Sequence, residues 1–297
     1  MQNLKLKPER EEDRELSFTR IFEAPRDLVW KMWTDPQMIV QWWGPTGFTT
    51  TNASMEVKAG GVWKYVMHGP DGRDYDNVVV YQEVVKPERL VYQHGDSLER
   101  NDETFDVTIT FEAQDNKTKL TMRSLFPTAQ QRDKVIKEYG AEEGANQTLS
   151  RLGEQLAKEP IVIERTFNAP ASAVWKAITD LDSMKQWYMG TLESFKSEVG
   201  FETKFNVHHN GRDFMHLWKV MEVVPEKKIA YDWRYADAPG NSTVTFELVA
   251  EGGKTRLKLT HTGLESFKPE AHPEYARSNF LQGWTSLITS KLETFLT

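Results

Sequence analysis

Residues 22–42 read FEAPRDLVWKMWTDPQMIVQW, and residues 167–187 read FNAPASAVWKAITDLDSMKQW. Phe22, Ala24, Pro25, Val29, Trp30, Lys31, Thr34, Asp35, Gln41 and Trp42 recur, without a gap, as Phe167, Ala169, Pro170, Val174, Trp175, Lys176, Thr179, Asp180, Gln186 and Trp187. A repeat this long exceeds a solenoid unit and is close to a typical domain. The 297 residues are therefore read as two copies of one domain. A charged tail is expected at 1–14, the first copy at 15–157 and the second at 160–297, joined by Ala157–Pro160.

Hydrophobic residues make up 39% and charged residues 27%, ordinary for a soluble globular protein. Each half is long enough to bury its own core. The net charge is −7, and Lys and Arg are scattered. That argues against a general nucleic-acid binder, which must neutralise a phosphate backbone. There is no cysteine, which excludes disulfides, thiolate zinc sites and cysteine nucleophiles. The opening MQNLKLKPEREEDREL has no apolar run suited to a secretory signal, and no window approaches a membrane span. The expectation is a soluble, cytoplasmic protein with no membrane insertion. Ten Trp, nine Tyr and fifteen Phe fall mostly in expected strands and after the first helix, where aromatics either fill a core or line a cavity.

Along the first copy, alternation predicts a strand at Ser17–Glu23, ended by Ala24-Pro25. A helix with Leu28, Val29, Met32 and Trp33 follows, then a short one carrying Met38, Ile39, Trp42 and Trp43, stopped by Gly44-Pro45. About six strands come next, among them Val62–His68, Tyr75–Val85 and Thr104–Phe111, with a strong turn at Gly69–Gly72. Residues 129–157 read as one long helix. The second copy repeats the plan, with a hairpin at Asn210–Asp213 and a closing helix at 273–296. Hairpin-linked strands form an antiparallel sheet, one face of which must be covered. The long helix is the element large enough to do it. The fold class is α+β: a curved antiparallel sheet wrapped around a long C-terminal helix, present twice, with a cleft between sheet and helix.

Phe22-Glu23-Ala24-Pro25, Val29-Trp30, Trp42-Trp43-Gly44-Pro45, Gly47-Phe48-Thr49, Gly60-Gly61-Val62-Trp63 and Met67–Gly72 closely resemble the Hsp-90 ATPase activator homologue family, a branch of the START-like, or Bet v-like, superfamily. The second copy resembles it less, with Tyr188-Met189-Gly190 in place of Trp43-Gly44-Pro45. The resemblance implies the helix-grip fold. It also implies a hydrophobic small-molecule ligand held between sheet and helix, with a chaperone as the alternative partner. Some superfamily members are cyclases or hydrolases. No cofactor is expected.

In the first copy, Trp63, Tyr65 and Met67 share a strand face that could line a pocket. Phe105, Val107, Ile109 and Phe111 are read as core. Trp42, recurring as Trp187, is read as structural, while Trp43 could gate a cavity mouth. The ligand-binding set expected here is Trp43, Trp63, Tyr65, Met67, Tyr92 and Tyr139. In the second copy it is Tyr188, Phe205, His209, His216, Trp233 and Trp284, with aromatics supplying contact area and the histidines and tyrosines orienting polar groups. His209 and His216 lie on opposite arms of a hairpin, and His261 could face the same side. Three imidazoles could bind zinc or move protons, but hydrogen-bonded histidines are the plainer reading, so no metal ligand or catalytic residue is assigned. No nucleophile elbow, phosphate loop, dinucleotide fingerprint or His-Glu-x-x-His occurs. The copies agree in scaffold residues and differ where a pocket would be lined. This predicts one fold used twice rather than two equal sites.

Overall fold

The computed structural model describes residues 10–99, 101, 104–209 and 211–297. The chain divides between Leu156 and Ala157 into two compact units. The first holds β1 (Glu15–Phe22), α1 (Arg26–Thr34), α2 (Pro36–Ile39), β2 (Thr49–Met55), β3 (Val62–His68), β4 (Asp74–Val85), β5 (Arg89–Gly95), β6 (Phe105–Gln114) and β7 (Lys117–Leu125). Two helices follow, α3 (Ala129–Tyr139) and α4 (Ala141–Lys158). The strands form one antiparallel sheet in the order β1-β7-β6-β5-β4-β3-β2.

The second unit holds β8 (Ile161–Phe167), α5 (Ala171–Thr179), α6 (Leu181–Trp187), β9 (Glu202–His209), β10 (Arg212–Val224), β11 (Lys228–Tyr235), β12 (Ser242–Glu251) and β13 (Lys254–Thr262), closed by α7 (Arg277–Ser286) and α8 (Leu292–Leu296). Its sheet runs β8-β13-β12-β11-β10-β9, one strand shorter, with no counterpart of β2. Each unit is a helix-grip domain: an antiparallel sheet folded over the helix that follows it. No helix among the described residues is long and apolar enough to cross a membrane.

The duplicated residues hold the joints of this scaffold. Pro25 and Pro170 sit in extended backbone at the N-caps of α1 and α5. Prolines fit the start of a helix because their missing N–H would be unpaired there anyway. The preceding Ala24 and Ala169 carbonyls accept hydrogen bonds from Thr118 and Thr255, each 2.8 Å and buried. Asp35 and Asp180 cap the second short helices through the Gln37, Met38 and Ser183 amides. The indoles of Trp42 and Trp187 donate to the carbonyls of Met32 and Ala177, at 3.0 and 2.8 Å. The structural role read for Trp42 is what the bond describes.

The closing helices depart from the sequence expectation. The helix anticipated over 129–157 breaks at Gly140, which adopts left-handed backbone (φ 61°, ψ 36°). Thr128 and Gln131 form a reciprocal capping box at its start. In α4, Leu149, Leu152 and Leu156 face the core. The helix anticipated over 273–296 begins with a 3-10 turn at Pro273–Tyr275 and widens into a π-helical turn at Leu287–Lys291. Trp284, Ile288 and Leu292 still share one buried face across that wide turn.

Of the tail expected at 1–14, residues 1–9 lie outside the described residues, as does Asn210 of the expected hairpin turn. Glu11–Arg14 is a 3-10 turn rather than free chain. Arg14 donates to the Phe126 carbonyl at 2.7 Å, and Arg123 bridges Glu11 and Glu15.

Candidate functional site

The first unit contains a cavity of about 260 Å³ between its sheet and the α3–α4 segment. Strand alternation places Tyr65 and Met67 of β3, Asn77 of β4, and Tyr92 and His94 of β5 on its concave side. Phe105 and Val107 of β6 and Met122 and Ser124 of β7 continue the wall. The helical side is small where it faces the space, with Ala141, Gly144, Ala145 and Thr148 ahead of Leu149.

The wall between the sheet edge and α4 is the turn Trp43-Gly44-Pro45. Gly44 takes φ +105°, which a side chain would strain, and a Cβ there would meet Phe48 at 3.4 Å. Arg151 of α4 donates through Nη1 to the carbonyls of Gly44, Pro45 and Phe48, at 2.8, 3.0 and 3.1 Å. Gln147 accepts from the Thr46 amide at 2.9 Å. The turn is thereby fastened to the helix, and Trp43 lies edge-on to Trp33, Trp42 and Trp63.

Five of the six residues expected in the first copy line this cavity: Trp43, Tyr65, Met67, Tyr92 and Tyr139. Tyr139, 68% exposed at the end of α3, stands at the rim. The sixth, Trp63, is buried behind the wall. It stacks on Tyr65 at 4.0 Å and donates to Asn52 at 2.8 Å. The Phe105 face, read as core, is divided. Phe105 and Val107 line the cavity, while Phe111 packs against Trp30 and Trp33 and Ile109 is fully buried. The reason is length: β6 runs past the end of the cavity and under α1.

The ligand-binding set expected from the sequence leaves out His94, Asn77, Ser124 and Phe126, which also line the cavity. His94 and Asn77 lie at apolar-facing positions of strands otherwise read from their aromatics, and alternation alone could have found them. The Tyr65 hydroxyl and His94 Nε2 are 3.0 Å apart. His94 Nδ1 is buried with no partner among the described residues. Burial pushes the imidazole down to about 4 and raises Tyr65 and Tyr92 well above the usual tyrosine range. At neutral pH these groups are uncharged.

In the second unit the same register positions carry different volumes. Tyr65 faces Asn77 across β3–β4, and Phe205 faces His216 across β9–β10. His94 faces Phe105, and Trp233 faces Ser242. Val107 faces Ser124, and Val244 faces His261. Asn77, His94 and Ser124 thus correspond to His216, Trp233 and His261. The larger groups contact one another: His216 stacks on Phe205 at 4.9 Å, and Trp233 lies 5.5 Å from Trp284. Tyr188 and Tyr231 share a buried hydrogen bond of 2.6 Å.

The histidines expected on one side do not act together. His209 faces Arg212, four register pairs beyond His216, and is exposed at the strand end. His216 donates from Nδ1 to the Phe214 carbonyl at 2.8 Å. The proton of His261 can be assigned. The Trp284 indole only donates, so His261 Nδ1, 2.9 Å away, accepts. Its Nε2–H then donates to Ser242 at 2.8 Å, and the Ser242 hydroxyl donates to the Trp233 carbonyl at 3.0 Å. Burial depresses His216 to about 4 and His261 to about 3. His261 has no lone pair to offer as a base. No cluster of three or more His, Cys, Asp or Glu suited to a metal occurs among the described residues.

A family model described as Activator of Hsp90 ATPase homolog 1-like protein matches residues 23–157 and again 168–297. The Hsp90 co-chaperone AHA1 of Saccharomyces cerevisiae is 28% identical over 124 residues, spanning 40% of this chain and 33% of the yeast protein. The chain therefore matches about a third of that relative's length. Among solved structures, a protein from Arthrobacter aurescens is 28% identical, with a TM-score of 0.47, covering 51% of this chain and 90% of that one. DynU16, from the dynemicin biosynthetic locus, covers 95% of this chain and 97% of its own, at 15% identity and a TM-score of 0.37.

Proposed function

The chain belongs to the Activator of Hsp90 ATPase homolog 1-like protein family through both of its halves, and we propose that its first unit binds an apolar small molecule between sheet and helix while its second unit is a closed scaffold. The observation that carries this reading is the contrast between the two interiors. The first encloses about 260 Å³ walled by aromatics, Met67 and Met122, with a few neutral polar groups, the usual make-up of a small-molecule site. The second places Trp233, His216 and His261 at the equivalent positions, where Trp233 packs against His216 and Trp284 and both histidines are hydrogen-bonded internally. Trp43 and Trp33 lie in the wall, so their fluorescence reports occupancy. Titration of the full chain with apolar probes should quench it saturably, and Ala145→Trp, which fills the space from α4, should abolish the response without lowering Tm. A probe that binds the filled variant as well as the wild type would overturn the reading.

A second reading follows from the yeast relative, which is a co-chaperone of Hsp90. On this reading the chain binds that chaperone and alters its ATPase rate. Co-sedimentation with the chaperone and a coupled ATPase assay test it. An unchanged rate together with no complex removes it. His261 is committed at both nitrogens and His209 stands apart in solvent, so the three histidines do not form one acid–base group.

A further inference from the structure

We propose that the ligand of the first unit is an electrically neutral, mostly apolar molecule that presents a hydrogen-bond acceptor oxygen, such as a ketone, ester or ether, to the Tyr65–His94 pair. This rests on the reading of the cavity as a ligand site.

Among the described residues, the wall of the cavity contains no Asp, Glu, Lys or Arg. The arginines bonded to wall residues are committed to backbone carbonyls: Arg151 to Gly44, Pro45 and Phe48, and Arg14 to Phe126. The positive end of α4 is answered by Glu142 and Glu143 in its own first turn. A carboxylate or phosphate entering this space would leave water without meeting a counter-charge, and burying an unpaired charge is strongly unfavourable. A buried ammonium would meet the same obstacle.

That spare hydrogen follows from counting. Tyr65 has one O–H and a neutral His94 has one N–H. The single contact between Tyr65 Oη and His94 Nε2 uses one of the two. If Tyr65 donates, the remaining hydrogen is on Nδ1, which has no partner among the described residues. If His94 donates, the remaining hydrogen is on the Tyr65 hydroxyl. Either tautomer leaves one donor to be met by a ligand acceptor. Depression of His94 to about 4 keeps the imidazole neutral at physiological pH, so the count holds there. Tyr92 and Ser124, aligned through Val107 across β5, β6 and β7, add neutral hydroxyls to the same wall.

The test compares three probes of one shape on the full chain at neutral pH: acetylnaphthalene, naphthoate and ethylnaphthalene, followed by tryptophan quenching. The ketone should bind at least about tenfold more tightly than either of the others, one hydrogen bond being worth about that factor. In the double variant Tyr65→Phe/His94→Phe the ketone should lose its advantage over ethylnaphthalene. Naphthoate binding as tightly as the ketone, or ethylnaphthalene matching it in the wild type, would overturn the inference and leave the cavity as a ligand site. Failure of all three probes to bind the wild type would remove the ligand-site reading itself and this inference with it. The wild-type ranking decides the matter without any variant.

Discussion

Single residues explain why the repeat is spaced as it is. Trp42 and Trp187 are buried, and each indole ties the second short helix to a carbonyl of the first. Replacing either by Phe keeps the ring contacts but strands a buried carbonyl. Trp42→Phe and Trp187→Phe should each cost about 1–3 kcal/mol, read from chemical denaturation. His261 sets a pH dependence. Its folded value is about 3, whereas an unfolded histidine titrates near ~6.5. Protons therefore prefer the unfolded chain. The contribution is complete above about pH 6.5 and is lost as pH falls toward the folded value. Between about pH 6.5 and 4.5 the loss from this one group is about 2–3 kcal/mol. His216, at about 4, acts in the same direction. His261→Gln should flatten the pH dependence of unfolding by roughly one proton over that window. An unchanged slope would mean that His261 is not buried as a neutral group.

At the level of elements, the break at Gly140 positions the cavity. α3 buries no residue of its own, whereas α4 buries Leu149, Leu152 and Leu156. The left-handed residue between them carries the chain from Tyr139 at the rim to Ala141 in the wall. Gly140→Ala should cost about 1 kcal/mol, since an L-residue pays about that much in left-handed backbone. Gly140→Asn, which tolerates this conformation, should cost less. Comparing the two melting curves distinguishes a conformational requirement from a packing one, because a Cβ at 140 meets nothing within 4 Å. A continuous helix over 129–157 was the natural sequence reading, because Gln, Lys, Glu and Ala favour helix on both sides of this residue. One glycine inside a helical pattern does not declare whether it is tolerated or is a stop. Tertiary packing of α4 alone settles it.

For the whole molecule, the prediction is one ligand per chain. Calorimetric titration should give a stoichiometry near one if the second interior is closed, and near two if it opens. Alternation and turns exposed the two antiparallel sheets and the chain order of their strands, and the expected site included Trp43, Tyr65, Tyr92 and Tyr139 of the cavity's aromatics but not Phe18, Trp33, Phe105 or Phe126. Trp63 was misplaced because alternation fixes a face but not the depth along it. Trp63 and Tyr65 share the face, yet only Tyr65 reaches the space.

The sequence by itself determined the duplication and the helix-grip scaffold. Those rest on local rules, namely proline at helix starts, Asp caps and alternating apolar residues, written where they act. Only the tertiary structure disclosed the space inside the first copy. That outcome depends on volumes brought together from six strands and the helices α1, α3 and α4. Asn77, His94 and Ser124 border a space in the first copy, and the larger His216, Trp233 and His261 stand at the matching positions of the second. No local pattern in the chain records the sum.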